Sequence, residues 1–536
     1  MGLNVCQIAA ELTPFAKTGG LGDVVAGLPR FLGRNGHDVR IFIPFYGSVA
    51  KRSERFVPVD FIRDIELWMG DHPFRFSVVT CKLPDSDVDI YFIDCPELYA
   101  EGGIYHGDAV DGLRFAFLTR ATFECCQRMG WSPHIVHCHD WHTALAPVYL
   151  KTLYGWDGLF HRTRAVLTIH NMGFQGLIDA SNLVRLGLAR YPQWLDEGDL
   201  AIGAINFLKT GLLRADFLTA VSRTYAQEIQ TPEEGFGLDW LVRARSAMGH
   251  LQGIVNGVDY GEWDPETDPR IPHHYSRDDL AGKRQMKSAL LREIGMDETD
   301  APVLGIVSRL TKQKGFDLCF DVLPSLLSRR DCRLVALGSG EIRYEAFFAE
   351  LARRFPGRAW YYRGYHEPLS HWIEAGADLF VMPSLFEPCG LNQMYSLRYG
   401  TPPVVRKTGG LADTVQLFDS STGEGTGFVF DHFHPAGLQW ALDYALDTFP
   451  WPDTWDRLMK NGMAQDFSWD VQGKEYVELY SRLAGSSVGA GLAPPVWGRK
   501  ARRSSLLGTD GREGMPEIPA QESPTLHYSE AAGAHP

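Results

Sequence analysis

A glycine-rich loop near the start of the chain has the composition of an anion-binding site. Residues 17–23 read Lys-Thr-Gly-Gly-Leu-Gly-Asp and lie between apolar runs at residues 5–10 and 24–32. Glycines let the backbone approach a bulky anion, a helix start directs N–H groups toward it, and lysine adds a full charge. The spacing matches neither the dinucleotide fingerprint nor the Walker motif. We interpret the loop as a phosphate or diphosphate site, with a simple tight turn as the alternative.

A second copy of this loop occurs much later in the chain. Residues 407–413 read Lys-Thr-Gly-Gly-Leu-Ala-Asp and follow the apolar run at residues 403–405. Two strand–loop–helix units of nearly the same sequence indicate two similar α/β lobes.

Two further segments offer charge at the ends of apolar runs. Arg309 and Lys314 stand five positions apart after residues 303–307, so they can converge on one anion, although a solvated basic turn is the alternative. Glu387 precedes a Pro-Cys-Gly turn after residues 379–382. A carboxylate there can hold sugar hydroxyls or stabilise positive charge on a sugar ring, or it can simply complement a helix dipole.

A histidine-rich cluster admits a different chemistry. Residues 137–142 read His-Cys-His-Asp-Trp-His, and His137, His139 and His142 together resemble the ligands of a zinc hydrolase. The aspartate is displaced by one position from the metallo-hydrolase pattern. We therefore favour hydrogen-bonding or substrate-contacting roles and predict that no metal is bound.

The elements that must position these groups are parallel α/β units. Short β-branched runs alternate with longer amphipathic segments, which is typical of parallel sheets covered by helices. The 536 residues are too many for one core, so two domains are expected. The strands predicted for the two lobes are residues 39–43, 88–93, 134–137, 165–169 and 217–221, then 303–307, 333–338, 360–362, 379–382, 404–405 and 428–430.

Composition excludes several classes of protein. The net charge of −14 disfavours nucleic acid and anionic membranes as partners. Nine cysteines without a Cys-x-x-Cys pair favour a reducing cytoplasm over a disulfide framework or zinc ribbon. No apolar run is long enough to span a bilayer. After residue 484, Gly, Ala, Ser, Pro and charged residues dominate, so residues 485–536 are predicted to be a flexible tail.

Taken together, these motifs resemble the bacterial glycogen synthase and plant starch synthase family. The resemblance rests on Glu11 with residues 17–23, and on residues 139–142, 168–171, 308–315, 386–391 and 408–413, in family order. It implies a GT-B fold in which two doubly wound Rossmann-like lobes enclose a cleft. The implied division is residues 1–262, residues 263–468, a helix at residues 469–484 that crosses back to the first lobe, and the tail.

The family also implies a reaction. Glucose would pass from ADP-glucose to the non-reducing end of an α-1,4-glucan such as glycogen, with retention at the anomeric carbon and without a cofactor. The implied catalytic residues are Glu387, His170, Arg309 and Lys314. The implied donor contacts are Lys17, Gly20, Gly22, Asp23, Asp140, Asn256, Tyr365, Cys389, Gly390, Leu391 and Asn392, and the implied acceptor contacts are Glu11, Phe174 and Gln175.

Three alternatives remain open at this point. The chain could be a retaining transferase that uses UDP-glucose, or one that forms maltosyl phosphate. It could instead be a glucan-binding protein of the same fold without catalysis. The zinc hydrolase is the third, and it predicts metal at the histidine cluster.

Overall fold

The computed structural model describes residues 2–485, without the side chains of Asp108 and Ala109. Short buried runs such as Val-Leu-Gly-Ile-Val at residues 303–307 form strands because both of their faces are covered. Within the described residues, ten strands form the first sheet, and β9 and β10 pair separately. The strands up to residue 253 are β1 (Asn4–Ile8), β2 (Asp38–Pro44), β3 (Val57–Pro58), β4 (Ile65–Met69), β5 (His72–Lys82), β6 (Asp89–Asp94), β7 (Ile135–His139), β8 (Arg164–Ile169), β9 (Leu177–Asp179), β10 (Ala204–Asn206), β11 (Phe217–Ala220) and β12 (Leu251–Gly253).

The second sheet is parallel throughout. Its six strands are β13 (Val303–Val307), β14 (Arg333–Gly338), β15 (Ala359–Arg363), β16 (Leu379–Met382), β17 (Pro403–Arg406) and β18 (Phe428–Phe430). The prediction of two doubly wound α/β lobes is confirmed.

Helices cover both sheets. Those of the first lobe are α1 (Gly20–Arg34), α2 (Gly47–Ala50), α3 (Pro96–Tyr99), α4 (Asp108–Met129), α5 (Asp140–Thr143), α6 (Ala146–Lys151), α7 (Glu197–Ala201), α8 (Phe207–Arg214), α9 (Arg223–Glu228) and α10 (Asp239–Ala247). They are followed by α11 (Ala281–Glu293), α12 (Cys319–Arg329), α13 (Ile342–Arg354), α14 (Glu367–Gly376), α15 (Asn392–Arg398), α16 (Gly409–Thr414), α17 (Pro435–Thr448), α18 (Pro452–Met463) and α19 (Trp469–Gly485).

Strand order places a switch point in each sheet. The first sheet runs β12-β11-β8-β7-β1-β2-β6-β5-β3, and the second runs β15-β14-β13-β16-β17-β18. The direction of winding reverses between β7 and β1 and between β13 and β16. Ligands of open parallel sheets bind outside the carboxyl ends of strands at such points. The loops that follow these four strands carry most of the predicted site residues.

The last helix, α19, packs against the first lobe. A Cβ on Gly27 of α1 would lie 1.9 Å from Trp469 Nε1, and a Cβ on Gly473 would lie 2.3 Å from the Phe31 ring. Glycine at both positions therefore lets α1 and α19 approach closely. Tyr476, Leu479 and Tyr480 complete the first lobe's core.

The structure also differs from the sequence predictions. Strands β3, β4 and β5 form an antiparallel edge that was not predicted. In β5, buried and exposed residues partly alternate, so it lacks the continuous apolar run that identifies the central strands. The division at residues 262 and 263 stays a prediction, and the predicted tail, beyond its first residue, lies outside the described residues. Among residues 2–485, every helix is too short or too polar to cross a membrane.

Candidate active site

The carboxylate of Glu11 fixes the first glycine loop. Thr18 donates to it from its backbone N–H at 2.8 Å and from its hydroxyl at 2.7 Å, and the Gly19 N–H donates at 3.1 Å. The Tyr105 hydroxyl adds a hydrogen bond of 2.5 Å. Two N–H groups of the loop are thus already bound to a buried anionic group. The next N–H groups belong to the first turn of α1, where an α-helix has no internal acceptors for them.

Lys17 stands at the mouth of this loop. Its Nζ lies 2.7 Å from Asp23 Oδ1, and its side chain is 43% exposed. Burial lowers the pKa of Lys17, but the Asp23 carboxylate outweighs that effect and raises it, with smaller contributions from Tyr365 and Glu262. Tyr365 belongs to the second lobe, so Lys17 lies on the side of the first lobe that faces it. Because its pKa is raised, Lys17 is protonated at neutral pH.

The first loop lies beside Leu391 of the second lobe, which packs against the first lobe's core. A Cβ on Gly20 would lie 3.5 Å from Leu391 Cδ1. A Cβ on Gly22 would lie 3.1 Å from Thr13 Oγ1 within the first lobe. Gly20 therefore packs the start of α1 beside the turn that follows Glu387.

Lys314 and Glu387 form a largely buried ion pair in the second lobe. Lys314 Nζ lies 2.6 Å from Glu387 Oε2, and the Ser384 hydroxyl donates to the same oxygen at 3.1 Å. Gly315 has a φ of +71°, and a Cβ there would lie 1.9 Å from the Pro383 carbonyl oxygen. Glycine at this position thus allows the Lys314 turn to reach the segment that carries Glu387.

Arg309 completes the cationic set at the carboxyl end of β13. It is exposed, and its guanidinium has no hydrogen-bond or ion-pair partner among residues 2–485. A free guanidinium on the same loop as Lys314 is suited to bidentate contact with phosphate oxygens.

The turn after Glu387 is built from close backbone contacts. Gly390 has a φ of +73°, which favours glycine, and Cys389 is buried and accepts a hydrogen bond from the Asn256 backbone N–H. The Asn256 side-chain oxygen is buried without a hydrogen-bond partner within the described chain. Asn392 donates to the Val307 carbonyl at 2.9 Å, which ties α15 to β13. The structure therefore brings residues 387–392 and Asn256 together.

The second glycine loop binds a carboxylate of the protein itself, so it is not an open site for an anionic ligand. The Thr408 hydroxyl and the Gly409 N–H both donate to the carboxylate of Glu228, at 2.9 to 3.1 Å. Glu11 makes the same pair of contacts with Thr18 and Gly19, but Glu228 reaches across from the other lobe. The second copy thus serves as an interlobe contact in this structure.

Asp140 and His170 lie where β7 and β8 end. Asp140 has a φ of +52°, and its carboxylate accepts hydrogen bonds from the backbone N–H groups of His170 at 2.7 Å and Asn171 at 3.2 Å. Burial raises the pKa of Asp140 to about 7 and lowers that of His170 to about 3. Asp140 therefore fixes the backbone at His170, whose ring is neutral at neutral pH.

The zinc-hydrolase alternative does not fit the geometry of the histidine cluster. His137 uses both ring nitrogens, with the Tyr480 hydroxyl at 2.7 Å and the Thr168 hydroxyl at 2.6 Å. His142 instead stacks on Tyr105, with ring centroids 5.0 Å apart. Burial lowers the pKa of both His137 and His142 to about 3. These histidines form parts of separate contacts rather than one ligand set.

Sequence reasoning missed an acidic cluster beside Tyr365. Ligand atoms of Glu262, Glu367 and His371 lie within 4.8 Å of one another, and this is the one group with metal-ligand spacing among the described residues. Arg270 already pairs with both carboxylates, at 3.4 and 2.9 Å. Glu367 and His371 are four residues apart on α14, a spacing that could have indicated a shared face.

Aromatic side chains line the region predicted to meet the acceptor. Phe174 is 61% exposed, and the Gln175 side chain donates to the Phe236 carbonyl at 2.9 Å. The rings of Phe236 and Phe386, from different lobes, have centroids 6.1 Å apart. Tyr365, one of the predicted donor contacts, is 71% exposed, so its ring is available for stacking.

An open pocket lies between the start of α19 and the segment around residues 258–278. It has a volume of about 630 Å³ and is lined by residues that include Arg30, Asp259, Tyr260 and Trp469. None of the predicted site residues lines it, so it is separate from the candidate active site.

Comparisons with known proteins show which family the chain is similar to. Residues 4–244 match a family model described as starch synthase catalytic domain, and residues 290–461 match one described as glycosyl transferases group 1. The glycogen synthase of Koribacter versatilis is 45% identical over 485 residues, which are 90% of this chain and 98% of that protein. Glycogen synthase 1 of Geobacter sulfurreducens is 43% identical, with 91% and 98% covered.

Solved structures extend the comparison to the fold. The catalytic domain of starch synthase IV from Arabidopsis thaliana, bound to ADP and acarbose, has a TM-score of 0.83 and 35% identity, covering 90% of this chain and 100% of that one. A sucrose-phosphate synthase from Thermosynechococcus elongatus, with a TM-score of 0.57, 16% identity and the same coverage, shares the fold alone. These comparisons confirm the predicted GT-B fold.

Proposed function

The chain belongs to the family of bacterial glycogen synthases and plant starch synthases, which are hexosyltransferases, and we propose that it transfers glucose from ADP-glucose to an α-1,4-glucan. The observation that carries this proposal is the closeness of Gly20 to Leu391, since a Cβ on Gly20 would lie 3.5 Å from Leu391 Cδ1. The loop of Lys17 and the turn of Glu387 thus belong to neighbouring parts of the two lobes, and one sugar nucleotide bound between them would contact both.

The cations of the two lobes would hold the diphosphate. Lys17 would bind it from the first lobe, while Arg309 and Lys314 would bind it from the second. Breaking a glycosyl–phosphate bond places negative charge on the departing nucleotide, and fixed cations stabilise that charge without reorganisation. Because Lys314 already pairs with Glu387 at 2.6 Å, it would link the phosphate site to the sugar site.

Glu387 would stabilise the positive charge that develops on the sugar ring. The sugar ring becomes positive as the bond breaks, and a buried carboxylate near it stabilises that state electrostatically. Carbonyl dipoles near His170 would add to this effect. The leaving phosphate would take the acceptor's proton on the same face, which gives retention without a protein nucleophile.

Base and acceptor recognition complete the assignment. The exposed ring of Tyr365 would stack on adenine. Phe174 and Gln175 would contact the glucan, together with Phe236 and Phe386. The relative from Arabidopsis was solved with ADP and acarbose, which supports an adenine nucleotide and a sugar chain as ligands here. All nine cysteines are free, so we also propose a cytoplasmic location.

The test is incubation of the purified full chain with radiolabelled ADP-glucose or UDP-glucose and glycogen. We expect label in polymer from ADP-glucose, and α-linkage of the added glucose by NMR. Transfer mainly from UDP-glucose would overturn the donor assignment. Label in maltosyl phosphate when glucose 1-phosphate replaces glycogen, or no turnover at saturating donor, would overturn the reaction.

A further inference from the structure

Three side chains form a buried line of hydrogen bonds that ends at His170. Gln7 Oε1 lies 2.7 Å from His139 Nε2, and His139 Nδ1 lies 3.0 Å from His170 Nε2. Gln7 is on β1, His139 ends β7, and His170 follows β8, so the line crosses three neighbouring strands. Gln7 and His139 are both 0% exposed.

This arrangement determines which nitrogen of each ring carries the proton. Burial lowers the pKa of His139 and His170, so each neutral ring has one N–H. An amide oxygen only accepts, so His139 donates from Nε2 to Gln7 and accepts at Nδ1. His170 must then donate from Nε2. Its Nδ1 is left with a lone pair and, within residues 2–485, without a protein partner.

We infer that Gln7 and His139 are positioning residues that hold His170 in the tautomer whose Nδ1 accepts a hydrogen bond from a hydroxyl of the bound sugar. The sugar's presence rests on the proposed function, but the tautomer does not. The orientation of the Gln7 amide decides the outcome. If Gln7 Nε2 faced His139 instead, each hydrogen bond in the line would have its donor and acceptor exchanged. His170 would then carry its proton on Nδ1 and donate from it.

The hydrogen bond between Tyr480 and the neighbouring His137 provides a matched control. His137 is also buried on β7, but its ring contacts Tyr480 and Thr168 rather than Gln7. Tyr480→Phe removes one buried hydrogen bond of the same length as the Gln7–His139 bond. It therefore reports the general cost of such a loss while leaving the line to His170 intact.

The direct test is long-range ¹H–¹⁵N NMR of the full chain labelled at histidine, with His170 assigned through a His170→Asn variant. We expect the wild-type His170 proton on Nε2. Gln7→Leu should shift His170 toward the other tautomer, whereas Tyr480→Phe should not. A wild-type proton on Nδ1, or an unchanged tautomer in Gln7→Leu, would overturn the inference. If Gln7→Leu does not fold, Gln7→Met makes the same test. If neither variant folds, a wild-type His170 proton on Nδ1 would still overturn the inference.

Kinetics provide a second readout. Gln7→Leu should lower kcat/KM roughly three- to tenfold, the effect of one lost hydrogen bond, whereas Tyr480→Phe should leave it close to the wild-type value. With donors that each lack one glucose hydroxyl, the defect should disappear for the donor without the contacted hydroxyl. A defect that is equal for all donors would contradict the sugar contact. Absence of wild-type turnover would refute the proposed function, while the NMR result would still decide the tautomer.

Discussion

Lys314 Nζ lies 2.6 Å from Glu387 Oε2, which joins the cationic turn after β13 to the carboxylate after β16. These two strands flank the switch point of the second sheet. The pair therefore connects the proposed diphosphate site to the proposed sugar site through one hydrogen bond.

Lys314→Ala should raise the donor KM and lower kcat, because it removes a phosphate contact and leaves Glu387 buried without its partner. The same loss should lower the free energy of unfolding by about 3 kcal/mol. Steady-state kinetics and urea denaturation measure the two effects. Lys312→Ala, at an exposed position two residues earlier, is the matched control. Unchanged kinetics in Lys314→Ala would remove this residue from the phosphate site.

Glu387→Gln should reduce kcat far more than it changes donor affinity, because the charge it removes matters most when the sugar ring is positive. Lys314 would keep an oxygen partner, so the fold should survive. Donor affinity is measured by calorimetry with ADP-glucose in the absence of glycogen, and kcat with saturating donor and glycogen. Near-normal turnover would refute the role of Glu387 in the transition state.

Tyr365→Ala should weaken adenine-nucleotide binding by about 1–3 kcal/mol, the cost of losing a base–aromatic stack. Tyr365→Phe keeps the ring and should bind nearly as well as the wild type. The measurement is the dissociation constant of ADP for each variant. Equal affinities for the alanine and phenylalanine variants would place the base elsewhere.

Glu228→Ala should loosen the contact between the lobes, because Thr408 and Gly409 lose their shared acceptor. We expect a larger radius of gyration by small-angle scattering without ligand, and a donor KM raised several-fold. Glu233→Ala changes an exposed carboxylate nearby and serves as the control. If both variants scatter like the wild type, Glu228 does not hold the lobes together.

Asp140 should make stability depend on pH. Its pKa is about 7 in the folded chain against a reference value of 3.8, so its protonated form is favoured by folding. The stabilisation is complete below pH 3.8 and is lost as the pH rises through about 7. Relative to wild type, Asp140→Asn should gain up to about 4 kcal/mol in free energy of unfolding between pH 4 and pH 8. A pH-independent difference would show that this carboxyl has an ordinary pKa.

Central strands and their carboxyl ends could be predicted from sequence because continuous apolar runs identify them. The positions of Lys17, Arg309 and Glu387 at strand ends follow from the same pattern. The partners of Glu228 and Gln7 could not be predicted. Each is set by residues more than a hundred positions away, and a lone polar residue in a sequence does not indicate what it contacts. The antiparallel edge escaped prediction because its burial is one-sided.

A crystal structure with ADP bound tests the central claim most directly. We expect Lys17 Nζ from one lobe, and the Arg309 guanidinium and Lys314 Nζ from the other, all within about 3 Å of oxygens of the same diphosphate. A diphosphate held by one lobe alone, with Lys17 directed away from the cleft, would contradict the account.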